Sequence, residues 1–110
     1  MIVSEVIKGG IKIVGLNGRL DISTQDAVQD KINALLSDGS AKIVIDCSDL
    51  TFISSAGLRV FMSALKQVSS VDGKLVISNL NDTTRKIFDI TGYDSVFNIT
   101  TSLDEAIKQF

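Results

Sequence analysis

Two adjacent serines, Ser54 and Ser55, sit where an apolar run gives way to a helical pattern, in Ile43-Val44-Ile45-Asp46-Cys47-Ser48-Asp49-Leu50-Thr51-Phe52-Ile53-Ser54-Ser55-Ala56-Gly57-Leu58-Arg59. The segment reads as a buried strand, a short acidic loop and a helix start. A hydroxyl at that junction faces unpaired backbone N–H groups and the positive end of the helix dipole. A phosphate carried by Ser54 or Ser55 would therefore sit in favourable surroundings, which is the chemistry of a switch rather than of a catalyst. An N-cap accounts for one serine; two in a row exceed that need.

The other candidates for chemistry are weaker. Asp46 and Asp49 could pair for a metal or for acid–base work, but loop aspartates more often accept backbone hydrogen bonds at turns, here beside the serines. Cys47, a lone thiol just past an apolar strand and flanked by acids, reads as a packed core residue with a raised pKa. Ser63-Ala64-Leu65-Lys66 has the spacing of an acylating serine and lysine without the partner motifs that such chemistry needs. Gly10 and Gly15 have phosphate-loop spacing, yet Leu16-Asn17 stands where Lys and Ser/Thr should follow. Asn81-Asp82-Thr83 and Asn98-Ile99-Thr100 are glycosylation sequons, empty of meaning without a secretory signal.

Composition narrows the field further. The 110 residues contain no His and one Cys, which excludes Ser-His-Asp and Cys-His catalysis, a Cys/His zinc site and an intrachain disulfide. Eleven basic and thirteen acidic residues give a net charge of -2 with no block of like sign, so neither a nucleic-acid footprint nor a polybasic membrane patch is expected. No cofactor or metal is expected. No apolar stretch approaches membrane-spanning length and the N-terminus lacks a signal pattern, which points to a cytoplasmic chain.

The elements that must position the serines follow from apolar spacing. Ile2-Val3, Val6-Ile7 and Ile11 to Val14 form a hairpin around Gly9-Gly10. Ser23 is placed to cap a first helix carrying Val28, Ile32, Leu35 and Leu36, stopped by Asp38-Gly39. Ile43-Val44-Ile45 and Leu75-Val76-Ile77 are strands covered on both faces, with Leu58, Phe61, Met62, Leu65 and Val68 on the helix between them. Asn81 or Asp82 caps a third helix that ends near Gly92, Val96 to Ile99 is a short edge strand, and Ser102 with Glu105 boxes a last helix. The order predicts one α/β domain over residues 1–110, a mixed four- to five-stranded sheet with about four helices packed on it.

The stretch Asp46 to Leu58 closely resembles the central motif of STAS domains, in particular of the bacterial anti-sigma factor antagonists, and Gly18-Arg19-Leu20-Asp21 resembles the family's turn before the first helix. The resemblance covers essentially the whole chain. It implies a STAS-like fold and a non-enzymatic partner switch that binds an anti-sigma factor serine/threonine kinase when unphosphorylated and releases it when phosphorylated, with a serine phosphatase as second partner. By position it implies Ser55 as the phosphorylated residue, with Ser54, where many members carry Asp, as alternate acceptor. The implied contact surface comprises Asp21, Ser23, Thr24, Asp49, Ser54, Ala56, Gly57 and Arg59, with Gly57 allowing a partner to come close. The competing expectation is a STAS interaction or ligand-sensing module in a transport or stress-signalling complex without a sigma factor.

Overall fold

The computed structural model describes residues 1–110. Strand β1 (Ile2–Lys8) turns at Gly9-Gly10 into β2 (Ile11–Leu20), and both glycines have positive φ, the backbone that a two-residue hairpin needs. Helix α1 (Gln25–Leu36), β3 (Lys42–Ile53), α2 (Ser55–Ser69), β4 (Lys74–Ser78) and α3 (Asp82–Thr91) follow. A single 3-10 turn (Tyr93–Ser95), which periodicity does not signal, leads to β5 (Asn98–Thr100) and α4 (Leu103–Lys108). The sheet runs β1-β2-β3-β4-β5, with β1 antiparallel to β2 and the remaining pairs parallel. This is the mixed α/β sheet that the order of elements predicts.

Strand alternation divides the core in two. Ile43, Ile45 and Cys47 of β3 join Val14, Leu16, Leu75 and Ile77 beneath α1, α2 and α3. Val44, between them, joins Ile11, Ile13 and Val76 beneath Ala106 of α4. Burial on both faces explains why these strands read as unbroken apolar runs. Phe61, Phe88 and Phe97 meet at ring-centroid distances of 5.8–6.3 Å and lock α2, α3 and the approach to β5 together.

Two local devices differ from expectation, and a third was not anticipated. Asp46 to Ile53 is strand, not loop: β2 and β3 stay paired through Asn17↔Asp49, Gly18↔Leu50, Arg19↔Phe52 and Leu20↔Ile53. Leu50 and Ile53, spaced by three, cannot share a face in a regular strand, and a register shift between Gly18 and Arg19 turns both inward. Ser23 does not cap α1; Thr24 holds that position without a side-chain cap bond, because both hydroxyls are committed to the preceding turn. At the other end of α1 no basic residue lies in the last turn. Lys12 of β2 supplies the charge instead, donating to Leu35 O at 2.6 Å and to Asp38 Oδ2 at 3.0 Å.

The remaining caps follow the sequence. Asn81 Oδ1 accepts from Thr84 N, and Ser102 Oγ accepts from Glu105 N. The return bond of the last box goes from Thr101 N to Glu105 Oε2.

Candidate functional site

The last residues of β2 and β3, Leu20 and Ile53, are register partners, so the chain leaves the sheet twice at one place. Ser54 N donates to Leu20 O at 2.9 Å and fixes the start of α2 against the end of β2. The start of α1 and the start of α2 therefore stand side by side.

The two serines divide their work. Ser54 has extended backbone and its Oγ accepts from Gly57 N at 3.2 Å, while its carbonyl accepts from Leu58 N at 2.9 Å. It is the N-cap. Ser55 is the first helical residue, is exposed, and makes no side-chain hydrogen bond. Its hydroxyl lies at the positive end of a 15-residue helix, open to a docking protein. Arg59, one turn on, is also exposed and has no acidic partner. Beyond it Met62, Ser63, Lys66, Gln67 and Tyr93 border an open groove of about 540 Å³.

The neighbouring turn is rigid because it satisfies itself. Asp21 Oδ1 accepts from Ser23 N at 3.0 Å and from Ser23 Oγ at 2.6 Å. Thr24 Oγ1 accepts from Asp21 N and donates to Arg19 O at 2.8 Å. The Ser23 hydroxyl is the main reason the Asp21 carboxyl is held below the usual carboxylate range; partial burial opposes it, and the Ser23 N–H and the Arg19 guanidinium reinforce it. Arg19 in turn lies 4.4 Å from the centre of the Phe52 ring. Ile22, at the tip of this turn, is 79% exposed.

The residue 3–106 segment matches the STAS domain family model. The chain belongs to the STAS domain family. A Bordetella bronchiseptica protein provisionally named anti-sigma factor antagonist BtrV is 33% identical over 101 residues, 92% of this chain and 87% of the relative. A Thermotoga maritima crystal structure, provisionally described as an anti-sigma factor antagonist, superposes with a TM-score of 0.93 at 24% identity, covering 97% of this chain and 92% of the other. The Bacillus anti-sigma factor antagonist SpoIIAA has been solved unphosphorylated and phosphorylated, with TM-scores of 0.74 and 0.73 at 20% and 21% identity. Each form covers 98% of this chain, which in turn spans 96% and 98% of them. These relatives are named as antagonists of anti-sigma factors.

Within the STAS fold the expected site residues separate into three groups. Asp21, Ser23, Thr24, Ser54, Ser55 and Arg59 gather where β2 and β3 end. Ala56 and Gly57 lie there too, but buried, so they are not a contact surface. A Cβ on Gly57 would stand 2.7 Å from Leu20 Cγ, 2.8 Å from Ile53 Cγ1 and 2.9 Å from Leu20 O. Close approach at Gly57 thus serves the chain's own packing and not a partner.

Asp49 is the third case. It lies four residues before the end of β3, so about 13 Å of strand at the usual rise separate it from Ile53, where the serine turn begins. Asp46 is farther back and accepts from Ser48 N at 3.0 Å, and both carboxylates border a separate cavity of about 160 Å³ with Ser4, Asn17 and Ser48. Neither positions the serines. At that range salt screens their repulsion of a phosphate on Ser55. Cys47 between them is fully buried, and burial first, with the Asp46 charge second, pushes its thiol far above the ordinary range.

Ile22 is a feature beside these residues that the sequence reading did not single out. The available signal was an apolar side chain standing between Asp21 and Ser23, where turn chemistry requires none.

Proposed function

We propose that this STAS domain is a cytoplasmic anti-sigma factor antagonist whose Ser55 accepts phosphate from the serine kinase it binds. One observation carries the assignment: Ser54 alone caps α2, which leaves the adjacent Ser55 exposed and unbonded at the helix mouth. The existence of SpoIIAA in a phosphorylated form of the same fold supports the reading.

In the transfer, Ser55 Oγ bonds to the γ-phosphorus of ATP as the bond to the β-phosphate oxygen breaks. ADP leaves, and the hydroxyl proton passes to a base on the kinase. The product adds about -1.5 to -2 charges at neutral pH. At roughly 5 Å from a partner carboxylate, with an effective dielectric near 20, each unit pair costs about 3 kcal/mol. About 1.4 kcal/mol is already tenfold in affinity, so release needs no refolding of the domain.

In the unphosphorylated state the partner meets Ser55, Arg59, the Asp21 to Thr24 turn and the exposed Ile22. A serine phosphatase resets the switch. Incubation with ATP and the cognate kinase, followed by mass mapping, tests the acceptor. Modification should fall on Ser55, persist in Ser54→Ala and vanish in Ser55→Ala. Modification on Ser54, or on neither serine, would overturn the assignment.

A further inference from the structure

Phosphorylation of Ser55 would place a dianion one helical turn before Arg59. Residues four apart on a helix have Cβ atoms about 5–6 Å apart, and an acid on the N-terminal side of a base is the favourable order. Both side chains are exposed on α2. Arg59 is also uncommitted: the ion pairs of the chain join Lys12 to Glu5 and Asp38, Arg19 to Asp21, and Arg85 to Asp89. The acids Asp46 and Asp49 are too far along β3 to compete for it.

We propose that Arg59 is the internal counterion of phosphoserine 55, its guanidinium donating two N–H groups to two phosphate oxygens while Ser54 keeps its cap on Gly57 N. A planar fork on a phosphate is the arrangement that Arg makes and Lys does not. The inference rests on the phosphoacceptor reading and adds a second half to the switch. Before phosphorylation Arg59 is a free cation facing the partner. Afterwards its charge is consumed by the chain's own phosphate. The docking surface then loses a positive charge as it gains negative ones, and the phosphatase must open the pair to reach the ester.

The test places phosphoserine at position 55 during translation, so its outcome does not depend on any kinase. The ³¹P shift is followed against pH in the otherwise unchanged chain and in Arg59→Gln, Arg59→Lys and Lys66→Gln. With Arg59 present the second phosphate ionisation should lie about half a unit lower than in Arg59→Gln, the size expected of an exposed pair. Arg59→Lys should fall between the two, and Lys66→Gln, nearly two further turns along α2, should match the parent. Equal titrations in parent and Arg59→Gln would overturn the pair even if the kinase modifies Ser55. A kinase that ignores Ser55 while Arg59→Gln still shifts the titration would sink the phosphoacceptor reading and leave the pair standing.

Discussion

Gly57→Ala perturbs the site without touching a polar group. The added Cβ would meet Leu20 Cγ at 2.7 Å and Ile53 Cγ1 at 2.8 Å, against the 3.5–4.0 Å that carbon atoms prefer. Side chains alone cannot yield, because the third contact is the Leu20 carbonyl oxygen at 2.9 Å, and that oxygen holds Ser54 N. The start of α2 must therefore move away from β2 by most of an ångström. Overpacking of this kind costs about 1–3 kcal/mol, and stretching the Ser54 N–H to Leu20 O bond adds about 1 kcal/mol. Urea unfolding should show a midpoint lowered by about 1 M or more at unchanged slope. Kinase phosphorylation of Ser55 should slow as well, since the serine pair shifts with the helix. A variant within about 0.5 kcal/mol of the parent would refute the claim that Gly57 exists for packing and that the serines are held through Leu20.

Other perturbations probe separate parts of the molecule. Ile22→Asp should leave the urea midpoint unchanged, because a side chain that is 79% exposed lies outside the core, and should weaken kinase binding at least about tenfold if the proposed docking face includes it. Asp38 is held down at about 2 by the Ser40 hydroxyl first and by Lys12 second. Its stabilising contribution is present above about pH 4 and is lost as the pH falls through about 2. Denaturant midpoints at about pH 5 and about pH 2.5 should therefore differ less in Asp38→Asn than in the parent; an equal difference would refute this linkage. Cys47 should resist thiol reagents in the native protein and react at once in urea; native-state labelling at the rate of a free thiol would contradict its burial.

Much of this architecture could be read from residue order. The hairpin, the four helices and the two buried strands carry clear apolar patterns, and Gly92 and Asn81 end and begin α3 as their chemistry requires. The second half of β3 could not be read in this way. Leu50 and Ile53 are spaced like a helix or a loop, and only pairing with a β2 that itself runs to Leu20 reveals a bulged strand. That one misreading set Asp46 and Asp49 beside the serines, since a loop would have folded them back; the contact role expected of Asp49 came from the family resemblance instead. The turn before α1 misled for a different reason: Ser23 has the right residue type for a cap, but Asp21 lies two residues earlier and takes its hydroxyl. Gly57 was legible as a close approach; which surface approaches was a tertiary fact supplied by Leu20.

Titration calorimetry of the cognate kinase against the domain before and after stoichiometric phosphorylation of Ser55 bears most directly on the switch. The charge added at the mouth of α2 predicts a loss of affinity of about tenfold or more, falling as salt rises, with the circular dichroism of the free domain unchanged. Equal affinity of the two forms, or a loss accompanied by unfolding of the domain, would contradict it.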